Sequence, residues 1–520
     1  MTTVFESVLA PGCLALFALG GAVAQTLPDA DPRRSEEEVR EGGAECLAVT
    51  RVRIVGVHAL PRPAVDALQP EDGSCLSRKA LNVLLRSLSA LYLQRGHVAA
   101  RVLPQPVAAD GELVLRVDEG RVVRMEASSA RGDVAALFPD ALGKPLDLRA
   151  LEQGLDQANR LPTVAMHARV NPVPGGVELA IDERSTGGRH GFIALDNGGE
   201  PATGVVQGTL SFGIDNPGGV YDAAGVSVGQ TLDRLPGHRR RSLALYYSRP
   251  YGYWTTSLAA GWSDYYNRQR LIYHTVALSG QTASASVKLE RVLWRDAEHI
   301  DGFSLQLTHK RLRHYLMDEL RELASPTLTV AGAGYTKRRV FARGEVSVRG
   351  GLERGVGWLG ARQPHGGIEG APVARFNKWV FGIDTDFSFA GGTLSSRFDW
   401  QASRDALPAA EQMEITAPGA IRGHARNPLA GESGWFWRNT LQYRIATAQG
   451  GLLPRLGLDA GRVLWHGARP PWRGASGASA GLGLLHGRIS MDLEYSRPLG
   501  RPSGFVAEGH RLLAGVAWLY

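Results

Sequence analysis

The stretch Ile489-Ser490-Met491-Asp492-Leu493-Glu494-Tyr495-Ser496 places an apolar residue at every odd position and a polar one at every even position. A period of two belongs to a strand with one face in oil and the other in water. The chain closes on Leu512-Leu513-Ala514-Gly515-Val516-Ala517-Trp518-Leu519-Tyr520, where Leu512, Ala514, Val516 and Trp518 share one phase ahead of a terminal aromatic. This pattern predicts a closing barrel strand with its lipid face on even numbers. Looser alternation recurs in Ser242 to Ser248, Phe303 to Thr308 and Phe381 to Phe389, within a region that has no long helical stripe and many Gly, Pro, Asn and Asp clusters. The 335 residues from 186 to 520 hold about sixteen strands of roughly ten residues with their turns and loops. A soluble propeller also has short strands, but it would repeat every ~40–50 residues, and no such repeat is evident.

Composition agrees with a strand-rich chain. Glycine numbers 64 and proline 28 of 520 residues, with 44% hydrophobic and 8% aromatic residues, which excludes a disordered chain and argues against a helix-rich one. The balance of 58 basic to 51 acidic residues gives +7, too mild for a nucleic-acid-binding surface. Arginine supplies 52 of the basic residues and lysine six. Fourteen histidines show no His-Glu-x-x-His spacing, and the Ser residues in Gly-rich strands show no nucleophile turn, so the chain offers no catalytic constellation and no enzyme is predicted. A phosphate-binding Gly-x-x-x-x-Gly-Lys-Ser/Thr loop is absent as well, so no nucleotide or other cofactor is expected. Glycines such as Gly332, Gly334, Gly481 and Gly483 belong to strands or turns.

The beginning of the chain sets the compartment. Residues 7 to 28 are uncharged, with an apolar run from Val8 through Ala18 and the small-x-small site Ala22-Val23-Ala24 before Gln25. This is the form of a signal peptide over 1–24. The apolar run is shorter than the ~20 residues of a membrane-spanning helix, which argues against an uncleaved anchor. Cys13 falls in this leader, leaving Cys46 and Cys75 with no third ligand nearby, so no metal site is expected. In an exported chain the two are expected to form a disulfide, the alternative being two buried thiols.

Residues 25–45 are polar and form a linker or a short helix. From 46 to 119, a strand at Val52 to Val55 precedes Leu81, Leu84, Leu85, Leu88, Leu91 and Tyr92 at helical spacing, then strands at Val98 to Leu103 and Leu113 to Val117. A second copy over 120–185 repeats the order: strand Val122 to Ala127, helix Leu148 to Asn159, strands at Met166 to Val170 and Val177 to Ile181. Two small α+β units of about 70 residues therefore precede a barrel over 186–520.

Several segments resemble the outer-membrane transporters of two-partner secretion, the TpsB type, which includes haemolysin and haemagglutinin secretion proteins. Cys46, Ser74-Cys75-Leu76, Tyr92-Leu93-Gln94-Arg95-Gly96-His97-Val98 and Glu119-Gly120-Arg121-Val122 are similar to that family's first POTRA domain. Leu151-Glu152-Gln153-Gly154-Leu155 and Asn159-Arg160-Leu161-Pro162 are similar to its second. In the barrel, Asp215-Asn216-Pro217-Gly218-Gly219, Ile421-Arg422-Gly423-His424 and Gly457-Leu458-Asp459-Ala460-Gly461 resemble family motifs, with Ile421 in place of Val and His424 in place of an aromatic.

The resemblance implies a transmembrane β-barrel of about sixteen antiparallel strands in the outer membrane of a Gram-negative cell, with two periplasmic POTRA domains. It implies that Arg422, on a loop folded back into the barrel, pairs with Asp459 on the wall. Its cargo would be a large secreted β-helical exoprotein of the TpsA type, haemolysin- or adhesin-like, drawn outward by its own folding. Partners are therefore that exoprotein and outer-membrane lipid. A small domain with an open strand edge beside a helix offers a groove for an unfolded segment, with Leu148 to Asn159 as the flank in the second unit. An outer-membrane assembly factor of the same architecture is the rival reading, and a porin is disfavoured by the N-terminal units.

Overall fold

The computed structural model describes residues 46–233, 237–270, 273–363, 370–424, 428–448, 450–466, 472–505 and 508–520. The expected leader and the segment 25–45 lie outside these residues. Two compact units divide at Thr186 and Gly187.

The first unit holds two small sheets. In one, β1 (Arg51–Val55), α1 (Arg62–Asp66), α2 (Arg78–Gln94), β2 (Arg101–Pro104) and β3 (Glu112–Asp118) give the sheet order β1-β3-β2. Ser77 caps α2 by accepting the Ala80 N–H. Leu84, Leu88 and Tyr92, spaced by four, form the buried face of the helix, and the two apolar clusters they join contain Leu113, Leu115 and Val117 of β3.

Strand β2 is shorter than the apolar run from Val98 predicts. Gly96 is left-handed at φ +88°, and its carbonyl accepts the Leu148 N–H of the next domain, so residues 97–100 are spent in a turn. Cys46 and Cys75 are disulfide-bonded with Cα atoms 5.2 Å apart. Glu119 is buried at the end of this domain and accepts from the His58 and Ala59 N–H groups (2.6 and 2.7 Å) and the Tyr92 hydroxyl (3.0 Å). Burial pushes its carboxyl pKa up, but these donors outweigh burial and hold it below the usual value. The Tyr92 hydroxyl is raised, by burial and then by the carboxylate it bonds.

In the second sheet β4 (Val122–Glu126), α3 (Leu148–Asn159), β5 (Val164–Val173) and β6 (Gly176–Ser185) give the order β4-β6-β5. A Cβ on Gly154 would lie 2.1 Å from the Phe138 ring, so the helix reaches its seat only with glycine there. The Asn159 amide donates to the Met166 carbonyl and accepts the Met166 N–H (3.0 and 2.6 Å), standing in for a strand neighbour at the outer edge of β5. Both contacts give a physical reason for residues quoted above as family-like.

The second unit is a closed antiparallel barrel of sixteen strands. It begins with β7 (Arg189–Asp196), β8 (Gln207–Asp215), β9 (Ala223–Thr231), β10 (His238–Tyr251), β11 (Trp254–Arg270) and β12 (Thr275–Arg295). It continues through β13 (His299–Leu316), β14 (Thr327–Phe341), β15 (Gly344–Val356), β16 (Asn377–Phe389) and β17 (Gly392–Ala402). The last strands are β18 (Ser433–Tyr443), β19 (Gly450–Leu464), β20 (Trp472–His486), β21 (Ile489–Gly500) and β22 (Arg511–Leu519). β22 closes on β7, with Trp518 opposite Ile193. Turns such as Gly252-Tyr253, Ala390-Gly391 and Gly487-Arg488 lie at the end where Arg189 enters, and the longer connections lie at the other.

The alternation in the sequence decides what each face meets. Ile489, Met491, Leu493 and Tyr495 of β21 are exposed, as are Leu512, Val516 and Trp518 of β22, while Glu494 and Ser496 are buried on the inner side. An apolar wall of this extent belongs in a bilayer, because every backbone polar group of a closed barrel is paired between strands.

Candidate functional site: a loop seated in the lumen

The connection between β17 and β18, described over 403–424 and 428–432, turns back into the barrel, where Glu411 and Arg422 meet side chains of the wall. Its path follows from its partners, which sit on the inward phase of their strands. On β19, Leu456 and Leu458 are exposed outward, so Gly457, Asp459, Gly461 and Val463 face in.

Arg422 is 6% exposed and Asp459 1%. The Arg422 Nε donates to Asp459 Oδ2 and its Nη2 to Oδ1, both at 2.7 Å, and the Arg422 backbone N–H also donates to Oδ2 at 2.9 Å. Two parallel charge-assisted bonds fix the plane of the guanidinium as well as its distance. Nη2 further donates to the Asn439 carbonyl and to Thr440 Oγ1, and Glu494 Oε2 of β21 lies 3.9 Å from Nη1. Glu494 has a base of its own, Arg455, which pairs with it at 3.3 Å and also with Asp492.

Small residues make the space. A Cβ on Gly457 would lie 2.2 Å from the Arg422 Cζ, and one on Gly477 would lie 1.9 Å from the Arg422 carbonyl oxygen. The guanidinium therefore lies flat on bare backbone. Gly423 has φ +90°, and a side chain there would also strike the backbone of Arg497 and Pro498. Ile421 packs with Ile415, Leu429, Phe436, Val463 and Ala475 in an apolar cluster, and its Cδ1 would be 3.1 Å from a Cβ on Gly461. The His424 Nε2 sits 3.2 Å from the Ser476 carbonyl, a polar contact where the family pattern has an aromatic ring. On β18, Arg438 donates to the loop carbonyls of Pro418 and Ala420. Cys46 and Cys75 belong to the first POTRA-like domain and take no part in this seat.

A second anchor escaped the sequence reading. Glu411, 2% exposed on the same loop, accepts from Lys310 of β13 at 2.8 Å and from Lys378 of β16 at 2.9 Å. Lys378 also pairs with Glu353 of β15 at 3.1 Å. The loop is thus held by an acid to basic walls at one place and by a base to acidic walls at another. Lysine scarcity was the one available signal: two of only six lysines converge here, in a chain that otherwise uses arginine.

A sixteen-stranded barrel with an apolar outer wall and a strapped lumen loop, preceded by two small α+β domains, defines an outer-membrane β-barrel transporter. Family models agree. The haemolysin secretion/activation protein family, ShlB/FhaC/HecB, matches residues 175–484, the ShlB-type POTRA domain matches 47–120, and a further POTRA domain matches 121–172. The chain belongs to the ShlB/FhaC/HecB family.

It is 34% identical to the haemolysin transporter protein ShlB of Serratia marcescens over 472 residues, covering 90% of this chain and 84% of that protein. It is 29% identical to the outer membrane transporter CdiB-2 of Burkholderia pseudomallei, covering 94% and 84%. The solved structure of CdiB from Escherichia coli superposes with a TM-score of 0.88 at 25% identity, covering 95% of this chain and 93% of that one. The chain is a two-partner secretion transporter of the outer membrane with periplasmic POTRA domains.

Proposed function

We propose that the chain captures one large exoprotein, haemolysin- or adhesin-like and unfolded in the periplasm, on its POTRA domains and passes it through the barrel to the cell surface. In this reading the leader over 1–24 directs export of the transporter itself, and the units over 46–119 and 120–185 receive the cargo. The exoprotein, folding into a long β-helix outside, supplies the pull that no nucleotide provides. The observation that carries the reading is the lumen seat of Ile421, Arg422, Gly423 and His424 against Gly457, Asp459 and Gly461. A loop held by buried charges inside a closed barrel blocks the pore in a defined position and regains hydration when it leaves.

Capture follows from strand geometry. Among the described residues β5 pairs only with β6, and Asn159 occupies its outer edge at Met166. The next edge groups on the same side are those of Ala168 and Val170, with Pro172 ending the run. An added strand would bond there, and α3 would flank it.

Deleting the gene is expected to remove a single large exoprotein from the cell surface and medium while general outer-membrane composition stays intact. Broad loss of barrels would instead support an assembly factor and overturn this reading. Val170→Pro removes one edge donor at a position where an edge strand tolerates proline, and is expected to lower exoprotein release with the transporter still inserted.

A further inference from the structure

Walking outward along the exposed phase of β19, the residues run Leu456, Leu458, Ala460 and then Arg462. The change from aliphatic to guanidinium marks the border between hydrocarbon and headgroups on this wall. Aromatic residues stand at the same level: Trp435 is the cross-strand partner of Arg462, and Trp472 that of Leu464. Because the chain enters the barrel at Arg189 from the periplasmic side and β19 follows a turn at that end, this border faces the outer leaflet.

A groove of about 520 Å³ opens at this level, lined by Trp435, Arg462, Trp472, Ser476 and Arg501. Three glycines, Gly461, Gly474 and Gly500, belong to the same lining. The Arg462 side chain runs across Gly474, its Cγ 3.0 Å from where a Cβ would stand. No carboxylate lines the groove. Among the described residues Arg462 has no hydrogen-bond or ion-pair partner, and the Arg501 guanidinium reaches only the Phe505 carbonyl, at 3.2 Å. Exposed guanidinium groups without acids, at headgroup depth and beside indole rings, suit a phosphate ester.

We propose that this groove binds the phosphorylated headgroup of an outer-leaflet glycolipid, with Arg462 and Arg501 on the phosphate and Trp435 and Trp472 against the sugar and the start of the acyl chains. The inference needs the barrel's place in the outer membrane and nothing of the cargo reading.

The test uses the full chain in detergent micelles, with native mass spectrometry against bis-phosphorylated lipid A, its dephosphorylated form and inorganic phosphate. Wild type is expected to retain bis-phosphorylated lipid A at least tenfold more tightly than the dephosphorylated form. Arg462→Glu with Arg501→Glu should abolish that preference while heat-modifiable migration of the barrel is unchanged, and Arg462→Gln alone should weaken it severalfold. Equal retention of both lipids by wild type, or undiminished preference in the folded double variant, would overturn the proposal. Full displacement by millimolar inorganic phosphate would also overturn it, by making the groove a free-anion site.

Discussion

Removing Arg422 strands a buried carboxylate. In Arg422→Ala, Asp459 keeps only backbone N–H donors, from residue 422 while the loop stays and from Asn439 at 3.2 Å. Breaking a buried ion pair from one side costs about 3–5 kcal/mol, and at 1.4 kcal/mol per decade the unseated loop gains two to three and a half decades in population, roughly. Asp459→Ala should cost less, because Arg422 retains Asn439, Thr440 and Glu494. The two changes together should cost less than their sum, by about 2–3 kcal/mol of coupling. Thr416 lies between the two anchors and is buried, so a cysteine placed there, with Cys46 and Cys75 oxidised, reports unseating by its labelling rate. Exoprotein release is expected to stop in Arg422→Ala with the barrel still inserted. Labelling no faster than wild type in Arg422→Ala, or a cycle additive within ~0.5 kcal/mol, would refute the pairing argument.

Glu411→Ala leaves the buried Lys310 ammonium without its acid and Lys378 with Glu353 alone, and should unseat the loop by about 3–5 kcal/mol, raising single-channel conductance in planar bilayers. Lys310→Met should do less, since Lys378 still holds Glu411 and Glu353. Opening the disulfide through Cys46→Ser with Cys75→Ser releases a closed loop of sequence separation 29 and should destabilise the first POTRA domain by about 3–4 kcal/mol, read as faster hydrogen exchange of β3 in the full chain. Glu119 has a folded pKa below its unfolded value, so its contribution is complete above the unfolded pKa of about 4.3 and is lost as pH falls through the folded value. Hydrogen exchange of the same strand, corrected for intrinsic rates, should show stability rising with pH through that acid window in wild type and a flatter profile in Glu119→Gln, which is also weaker near neutral pH by about 1–2 kcal/mol.

Period-two alternation made the barrel legible because each face of a strand meets one solvent, and lipid tolerates no charge that would blur the pattern. Ile489 to Ser496 and Leu512 to Tyr520 read correctly for that reason. Strand β2 read too long because Val98 looks apolar, whereas Gly96 bends the chain to bond Leu148, a contact made 52 residues on. Helix α1, five residues with Pro61 before it and Pro63 in its first turn, is too short for a period to show. The lumen seat was visible only through likeness to a family. Gly457 and Gly477 resemble any strand glycine until Arg422 is laid across them. Glu411 was invisible, since its partners lie 101 and 33 residues away and no spacing rule joins them.

The polarity of the two anchors bears on how such a loop works. It carries an acid at 411 and a base at 422, and the walls carry the complements, Lys310 and Lys378 against Asp459 and Glu494. A reversed or slipped seating would bring like charges together in a confined space and is excluded by repulsion. An apolar plug of equal size would be held at least as strongly, because buried ion pairs often add little net stability over well-packed hydrophobic residues. Charges give position at small net cost to release, since each ionic group that leaves its partner regains water in the polar lumen. A loop that must hold one place while the pore is idle and vacate it for a passing chain is better served by that balance than by tighter packing. Replacing Arg422 and Asp459 with a well-packed apolar pair should therefore keep the loop seated and still reduce export.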